Sequence, residues 1–194
     1  AIFKGVSSIE KVNKILIPIL LSIVLLSVFR AVSLPGSLDG IAYLFTPDWS
    51  QLRRPGIWVD ALAQNAFDTG AGFGLFLTYA IYIRRKYGIV KNAFTTAVGN
   101  NIVSLLSAVM IFSTVFSILG NDLNMPKSEI LDIMKTSGPA ATGLTFIWMP
   151  QLFEKMIFGK TLSILFFLGL SFAGFSSLIS MLELVVKNLI DFGL

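Results

Sequence analysis

Trp58–Tyr82 reads WVDALAQNAFDTGAGFGLFLTYAIY. The stretch is long and apolar enough to cross a bilayer, yet it carries a carboxylate, Asp68, near its middle. An Asp at the centre of a span costs about 2.5–3.5 kcal/mol on insertion scales and by default marks a functional position. Gln64 and Asp68 are four residues apart and share one helical face. Gly70, Gly72 and Gly74 follow at once, and three glycines weaken a helix by roughly 3 kcal/mol relative to Ala. Two readings compete. Gly70 and Gly74 form a small-xxx-small pair, the usual device for close helix packing. Alternatively the span is discontinuous and its freed carbonyls coordinate a ligand, as in secondary transporters that bind substrate and coupling ions at the bilayer midplane. Asp68 favours the second reading, because packing needs no carboxylate.

The rest of the chain places this span in a membrane. Of 194 residues 55% are hydrophobic and 13% charged, about half the charge of a soluble domain. Mean hydropathy is +0.80, and the apolar residues are gathered into runs. Four stretches can each cover about 30 Å of hydrocarbon: about 12–32, 57–83, 89–119 and 161–190. The expected class is all-α, a polytopic transmembrane helical protein. Pro18 stands inside the first span, where a kink or local unwinding is expected. LPGSLDG and TPDWSQLRRPG read as a loop of turn-formers between the first two spans. About 120–160 is too long for a bare loop. There PKSEILDIMK predicts a short helix behind Pro126, closed by Thr136–Pro139, and about 143–156 an amphipathic one, together an external helical cap. Arg84, Arg85, Lys86 and Lys91 crowd the turn after the second span, and Lys4, Lys11 and Lys14 flank the first. The positive-inside rule puts both regions in the cytoplasm, and the net charge of +4 reports orientation rather than nucleic-acid binding. The polar opening AIFKGVSSIE is no secretory signal, and the absence of an initiator Met implies a processed or truncated chain.

The sequence has no Cys and no His, which excludes disulfides, thiolate or imidazole metal sites and Ser–His or Cys–His nucleophiles from these residues. Asp68-Thr69-Gly70 matches the aspartic-protease tripeptide, but that chemistry needs a second carboxylate sharing the proton, and no other deep one is found. Gly70–Gly74 lacks the spacing and preceding strand of a dinucleotide loop. An enzyme is therefore not expected. On the third span Asn100 and Ser104 share a face, with Asn101 beside them. On the fourth, Ala173, Ser176, Ser177 and Ser180 make one small, hydroxyl-rich stripe, and Glu183 and Lys187 have the spacing of a structural ion pair. Such stripes often only pack helices. Together, however, carboxylate, amide and hydroxyl oxygens on three spans suit a hard cation, sodium or a proton, rather than a transition metal.

At this point the chain resembles a known family. QNAFDTGAGFGLFLTYAIYIRRKYGIV is similar to the sixth helix and following turn of the neurotransmitter:sodium symporters. The likeness extends through KGVSSIEKVNKILIP, LFTPDWSQLRRPGIWVDALAQ, TTAVGNN and FAGFSSLISM. The resemblance implies helices five to eight of a roughly twelve-helix transporter, part of a leucine-transporter-type inverted-repeat fold with a broken helix, a fold for which this family is itself the type example. Residues 1–194 alone are then not expected to transport.

Residue by residue, the resemblance puts Phe67 at the aromatic lid over the substrate and Gly70 and Phe73 in the unwound segment lining the pocket. Met181 falls where the substrate side chain packs, and Asp68 and Ser177 also belong to the substrate region. Asp68 and Asn100 fall on ligands of a first sodium; Ala173 (by its carbonyl), Ser176 and Ser177 fall on a second. Gln64, Asp68, Asn100 and Ser104 match the chloride site of chloride-dependent members, where a hydroxyl normally stands in place of Asp68. The implied function is a sodium-coupled symporter of amino acids or related small zwitterions, working by alternating access in the plasma membrane and independent of chloride because Asp68 supplies the negative charge. Uptake of a proton by Asp68 after sodium leaves is a second use, and both uses rest on Asp68 being buried beside Asn100. The alternative is a non-transporting amino-acid sensor or channel on the same fold. The implied partners are the amino-acid substrate, Na+, the lipid bilayer and the remaining helices of the transporter, with no nucleic acid.

Overall fold

The computed structural model describes residues 6–74, 80, 88–136 and 142–193. These residues form α1 (Val6–Val32), α2 (Ser37–Leu44), α3 (Pro55–Asp68), α4 (Ile89–Val115), α5 (Lys127–Thr136), α6 (Thr142–Glu154) and α7 (Gly159–Asp191). Short 3-10 turns cover Trp49–Arg53 and Ala71–Phe73, and a π-helical stretch, Phe116–Asp122, prolongs α4. Three of the helical stretches are long and apolar enough to cross a membrane: Asn13–Val32, Ile89–Asp122 and Gly159–Asp191. The chain divides into two units. Unit 1 comprises Ala1–Lys14, Asp48–Val103 and Ser171–Leu194, and unit 2 comprises Ile15–Pro47 and Ser104–Leu170.

Unit 1 is organised around the interruption that follows α3. Pro55 opens the helix at a position where its missing N–H costs nothing. The helix stops at Asp68 after 14 residues. Gly70 (φ 72°) and Gly74 (φ 72°) both adopt the left-handed conformation, bracketing a three-residue 3-10 turn. Only glycine takes that conformation without a penalty of about 1–2 kcal/mol. The second expected span is thus broken where its glycines cluster. Residues 75–79 and 81–87, with Arg84, Arg85 and Lys86, lie outside the described residues.

Unit 2 holds both clusters of buried apolar side chains found among the described residues. In the first, Ile23, Ala31 and Leu34 meet Met110, Met149, Leu152, Phe153 and Phe166. In the second, Val115, Phe116, Ile118 and Leu119 meet Ile130 and Trp148. Residues between the third and fourth spans therefore supply much of this core, including the fully buried Leu152 and Phe153. α6 departs from the amphipathic helix expected there: Phe146 and Ile147 are exposed although they are as apolar as the buried Trp148 and Met149. An apolar outer side is tolerated where the surroundings are lipid or further helices. α5 begins at Lys127, directly behind Pro126, as its sequence predicts, while Ser137, Gly138 and Pro139 lie outside the described residues.

Part of the expected loop of turn-formers is also helical. SLDGIAYL forms α2, and Gly40 explains why: a Cβ there would stand 2.4 Å from the carbonyl oxygen of Phe112, so α2 lies backbone-to-backbone on α4. Tyr43, one turn on, stacks against Phe112 and Phe116 with both ring centroids 5.9 Å away. Arg30, in the last turn of α1, donates its Nε–H to the carbonyl of Lys155 at 2.9 Å, and the Lys155 ammonium pairs with Asp122. α1 runs through Pro18 as one helix, and Ser22 returns its hydroxyl to the Pro18 carbonyl at 2.8 Å.

Candidate functional site

The site is built where α3 ends. Thr69 N–H and Gly70 N–H donate to the carbonyls of Asn65 and Phe67 at 3.1 and 3.0 Å, closing the last turn. The Thr69 hydroxyl also donates to Asn65 O at 2.8 Å and accepts from Ala71 N–H at 3.4 Å. Backbone groups freed by the break are thereby partly satisfied within a few residues, as a membrane interior requires. Phe67 and Phe73 fold together across the break, ring edge to ring face, with centroids 5.4 Å apart.

Asp68 is the last residue of α3, and its Oδ2 accepts from Asn100 Nδ2 on α4 at 3.3 Å. With its amide nitrogen turned to Asp68, Asn100 keeps Oδ1 as an acceptor for a cation or a donor. Asn65, one turn before Thr69, donates to Asn101 Oδ1 at 3.4 Å, so α3 and α4 meet through two polar pairs. Ser104 lies one turn beyond Asn100 on α4, and Gln64 one turn before Asp68 on α3. Gln64 is exposed.

A cleft of about 380 Å³ opens beside the break, within the size range of small-molecule sites. All six residues expected to face substrate line it: Phe67, Asp68, Gly70, Phe73, Ser177 and Met181. Ser176 lines it as well, whereas Asn100 and Ala173 do not. Asn100 reaches the cleft through Asp68. Ala173 does so through Ser177, whose hydroxyl donates to the Ala173 carbonyl at 3.2 Å. Thr69 and Ser180 also line the cleft and were not expected to. Ser180 belongs to the hydroxyl stripe, and its hydroxyl donates to Ser176 O at 2.9 Å; Thr69 is adjacent in sequence to Asp68. The cleft therefore offers one carboxylate, several hydroxyls, the backbone of a broken helix and two aromatic rings. Such a set can bind an ammonium or a hard cation by oxygen and cover an apolar side chain.

A profile of the sodium:neurotransmitter symporter family matches residues 1–193 of the chain. The chain is 36% identical over 186 residues to an uncharacterised sodium-dependent transporter of Methanocaldococcus jannaschii, covering 95% of this chain and 36% of that protein. It is 35% identical to a sodium-dependent serotonin transporter of Drosophila melanogaster, covering 98% of this chain and 29% of the relative. It is 31% identical to a sodium-dependent nutrient amino acid transporter of Drosophila persimilis, covering 98% and 28%. The chain thus spans about a third of the length of the relatives it matches.

Proposed function

Because this chain belongs to the sodium:neurotransmitter symporter family, we propose that it is the central part of a sodium-coupled symporter of amino acids or related small zwitterions, residing in the plasma membrane. The chain itself is an all-α, multi-pass membrane protein with a broken helix. The observation that carries the functional reading is that the broken end of α3 and the hydroxyl stripe of α7 line one cleft. Relatives named for serotonin and for nutrient amino acids support a small amine or zwitterion as cargo.

In this reading sodium is carried as a substrate. One ion sits at Asp68 and Asn100, and a second at the Ala173 carbonyl with the Ser176 and Ser177 hydroxyls. Sodium orders the broken segment, and the amino acid then packs against Gly70, Phe73 and Met181 beneath Phe67. Transport follows if the outward and inward states differ in affinity for sodium and cargo, since only differential affinity couples the two. The negative charge of Asp68 balances the first sodium, so the Gln64–Asp68–Asn100–Ser104 set works without chloride.

The test is binding of the twenty amino acids to the complete transporter that contains this chain, in sodium and in potassium. Sodium-dependent binding of one subset, followed by saturable sodium flux in liposomes, is the expected result. Binding without flux would make the protein a sensor, and binding indifferent to sodium would remove the coupling.

A further inference from the structure

Asn13, on α1, donates its Nδ2–H to the hydroxyl oxygen of Ser176, on α7, at 3.0 Å, joining residues 163 positions apart. Both side chains are half-buried. The neighbouring hydroxyls are held by α7 itself: Ser177 Oγ donates to Ala173 O, and Ser180 Oγ to Ser176 O. The Ser176 hydroxyl, by contrast, accepts from a different helix. A serine side chain in a helix has more than one staggered position open to it, and an amide donor anchored elsewhere selects among them. A hydroxyl oxygen has two lone pairs. One takes the Asn13 N–H, which leaves the hydroxyl the capacity to accept or coordinate once more. An amide is poorly placed in an apolar helix unless it finds a partner, and Asn13 is where the apolar stretch Asn13–Val32 begins.

We propose that Asn13 is a positioning residue for cation binding at the Ser176–Ser177 hydroxyl pair, fixing the Ser176 rotamer and making sodium affinity depend on the contact between α1 and α7. The inference rests on the reading of Ser176 and Ser177 as sodium ligands. Asn13 does not touch the ion; it acts through Ser176.

The experiment uses the complete transporter containing this chain, with equilibrium binding of radioactive sodium and initial uptake rates in liposomes. Asn13→Ala is expected to raise the half-saturating sodium concentration about three- to tenfold, the scale of one hydrogen bond, while reducing the rate at saturating sodium much less. Asn13→Gln, which keeps a donor, is expected to recover part of the affinity. Ser176→Ala and Asn13→Ala together are expected to cost no more than Ser176→Ala alone, because both act on the same hydroxyl. If Asn13→Ala fails to assemble, Asn13→Leu removes the donor at similar volume and serves the same comparison. Unchanged sodium affinity in the donor-free variants, or penalties that add in the double variant, would overturn the inference and leave the sodium site standing. Absence of sodium binding to the wild type, or full affinity in Ser176→Ala, would instead overturn the site itself.

Discussion

Asn100 on α4 donates its amide N–H to the carboxylate of Asp68 at 3.3 Å, and Asp68 is the residue on which α3 ends. The acid thus stands at the helix break with an amide from a second helix beside it. If Asp68 supplies the charge that a chloride ion would otherwise bring, a neutral hydroxyl there recreates the need for the anion. Asp68→Ser is expected to lower sodium-dependent uptake in chloride-free medium by about tenfold or more, equivalent to about 1.4 kcal/mol, and added chloride is expected to restore much of it. Uptake by Asp68→Ser that stays high and indifferent to chloride would remove this role from Asp68.

Gly74 separates backbone strain from crowding. Its φ is +72°, yet a Cβ added to it would meet nothing within 4 Å. Gly74→Ala therefore costs only the left-handed conformation, about 1–2 kcal/mol, and drives the segment toward continuing as helix. Sodium-dependent substrate binding is expected to weaken by about five- to thirtyfold. Gly56→Ala, inside α3 with the same open space and no positive φ, is the matched control and is expected to be neutral. Equal effects of the two substitutions would mean that the bend at Gly74 is not needed for binding.

The helix break was the most legible feature, because it leaves a local signature, a carboxylate within an apolar run with three glycines after it, whereas the residues of the cleft beside it came from the family resemblance and not from spacing. α2 was hidden because LPGSLDG carries proline and glycine at turn-like positions, and what holds it helical is a close approach to Phe112, 72 residues away from Gly40. The π-helical stretch Phe116–Asp122 has no compositional sign, since a wider turn changes hydrogen-bond register rather than residue type. α6 misled because its apolar residues continue around the helix onto exposed positions. The Asn13–Ser176 bond was illegible for the plainest reason: periodicity reports which residues share a helix face, not which helix that face meets.

Gly40 tests the packing of unit 2. Any side chain there collides with the Phe112 carbonyl at 2.4 Å and approaches Phe116 Cβ at 3.2 Å. The obstacle is backbone, which cannot rotate aside, so α2 must lift and take the Tyr43 stack with it. Gly40→Ala is expected to destabilise the protein by about 1–3 kcal/mol, the usual penalty for overpacking. A lowered midpoint of thermal unfolding in detergent checks this. An unchanged midpoint would show that α2 is not tightly docked.

Asp48 makes a pH-dependent contribution outside the membrane spans. Its carboxylate accepts from Ser50 Oγ at 2.6 Å, Gln51 Nε2 at 3.0 Å and Ser50 N–H at 3.0 Å, capping the turn Trp49–Arg53. The Ser50 hydroxyl first, then Gln51 and the Ser50 amide, hold its pKa below the ordinary carboxylate value. A group whose folded pKa is depressed contributes stability fully above its unfolded pKa and loses it as pH falls through the folded one. The turn is therefore expected to loosen only on the acid side, below the ordinary carboxylate range, and to be insensitive between neutral and mildly alkaline pH. Hydrogen exchange at the Ser50 amide, corrected for intrinsic rates, should accelerate relative to its neighbours as the pH drops through that window. Asp48→Asn, which keeps one acceptor oxygen but cannot ionise, should exchange faster at neutral pH and lose the acid-side transition. A transition that persists in Asp48→Asn would assign it to another group.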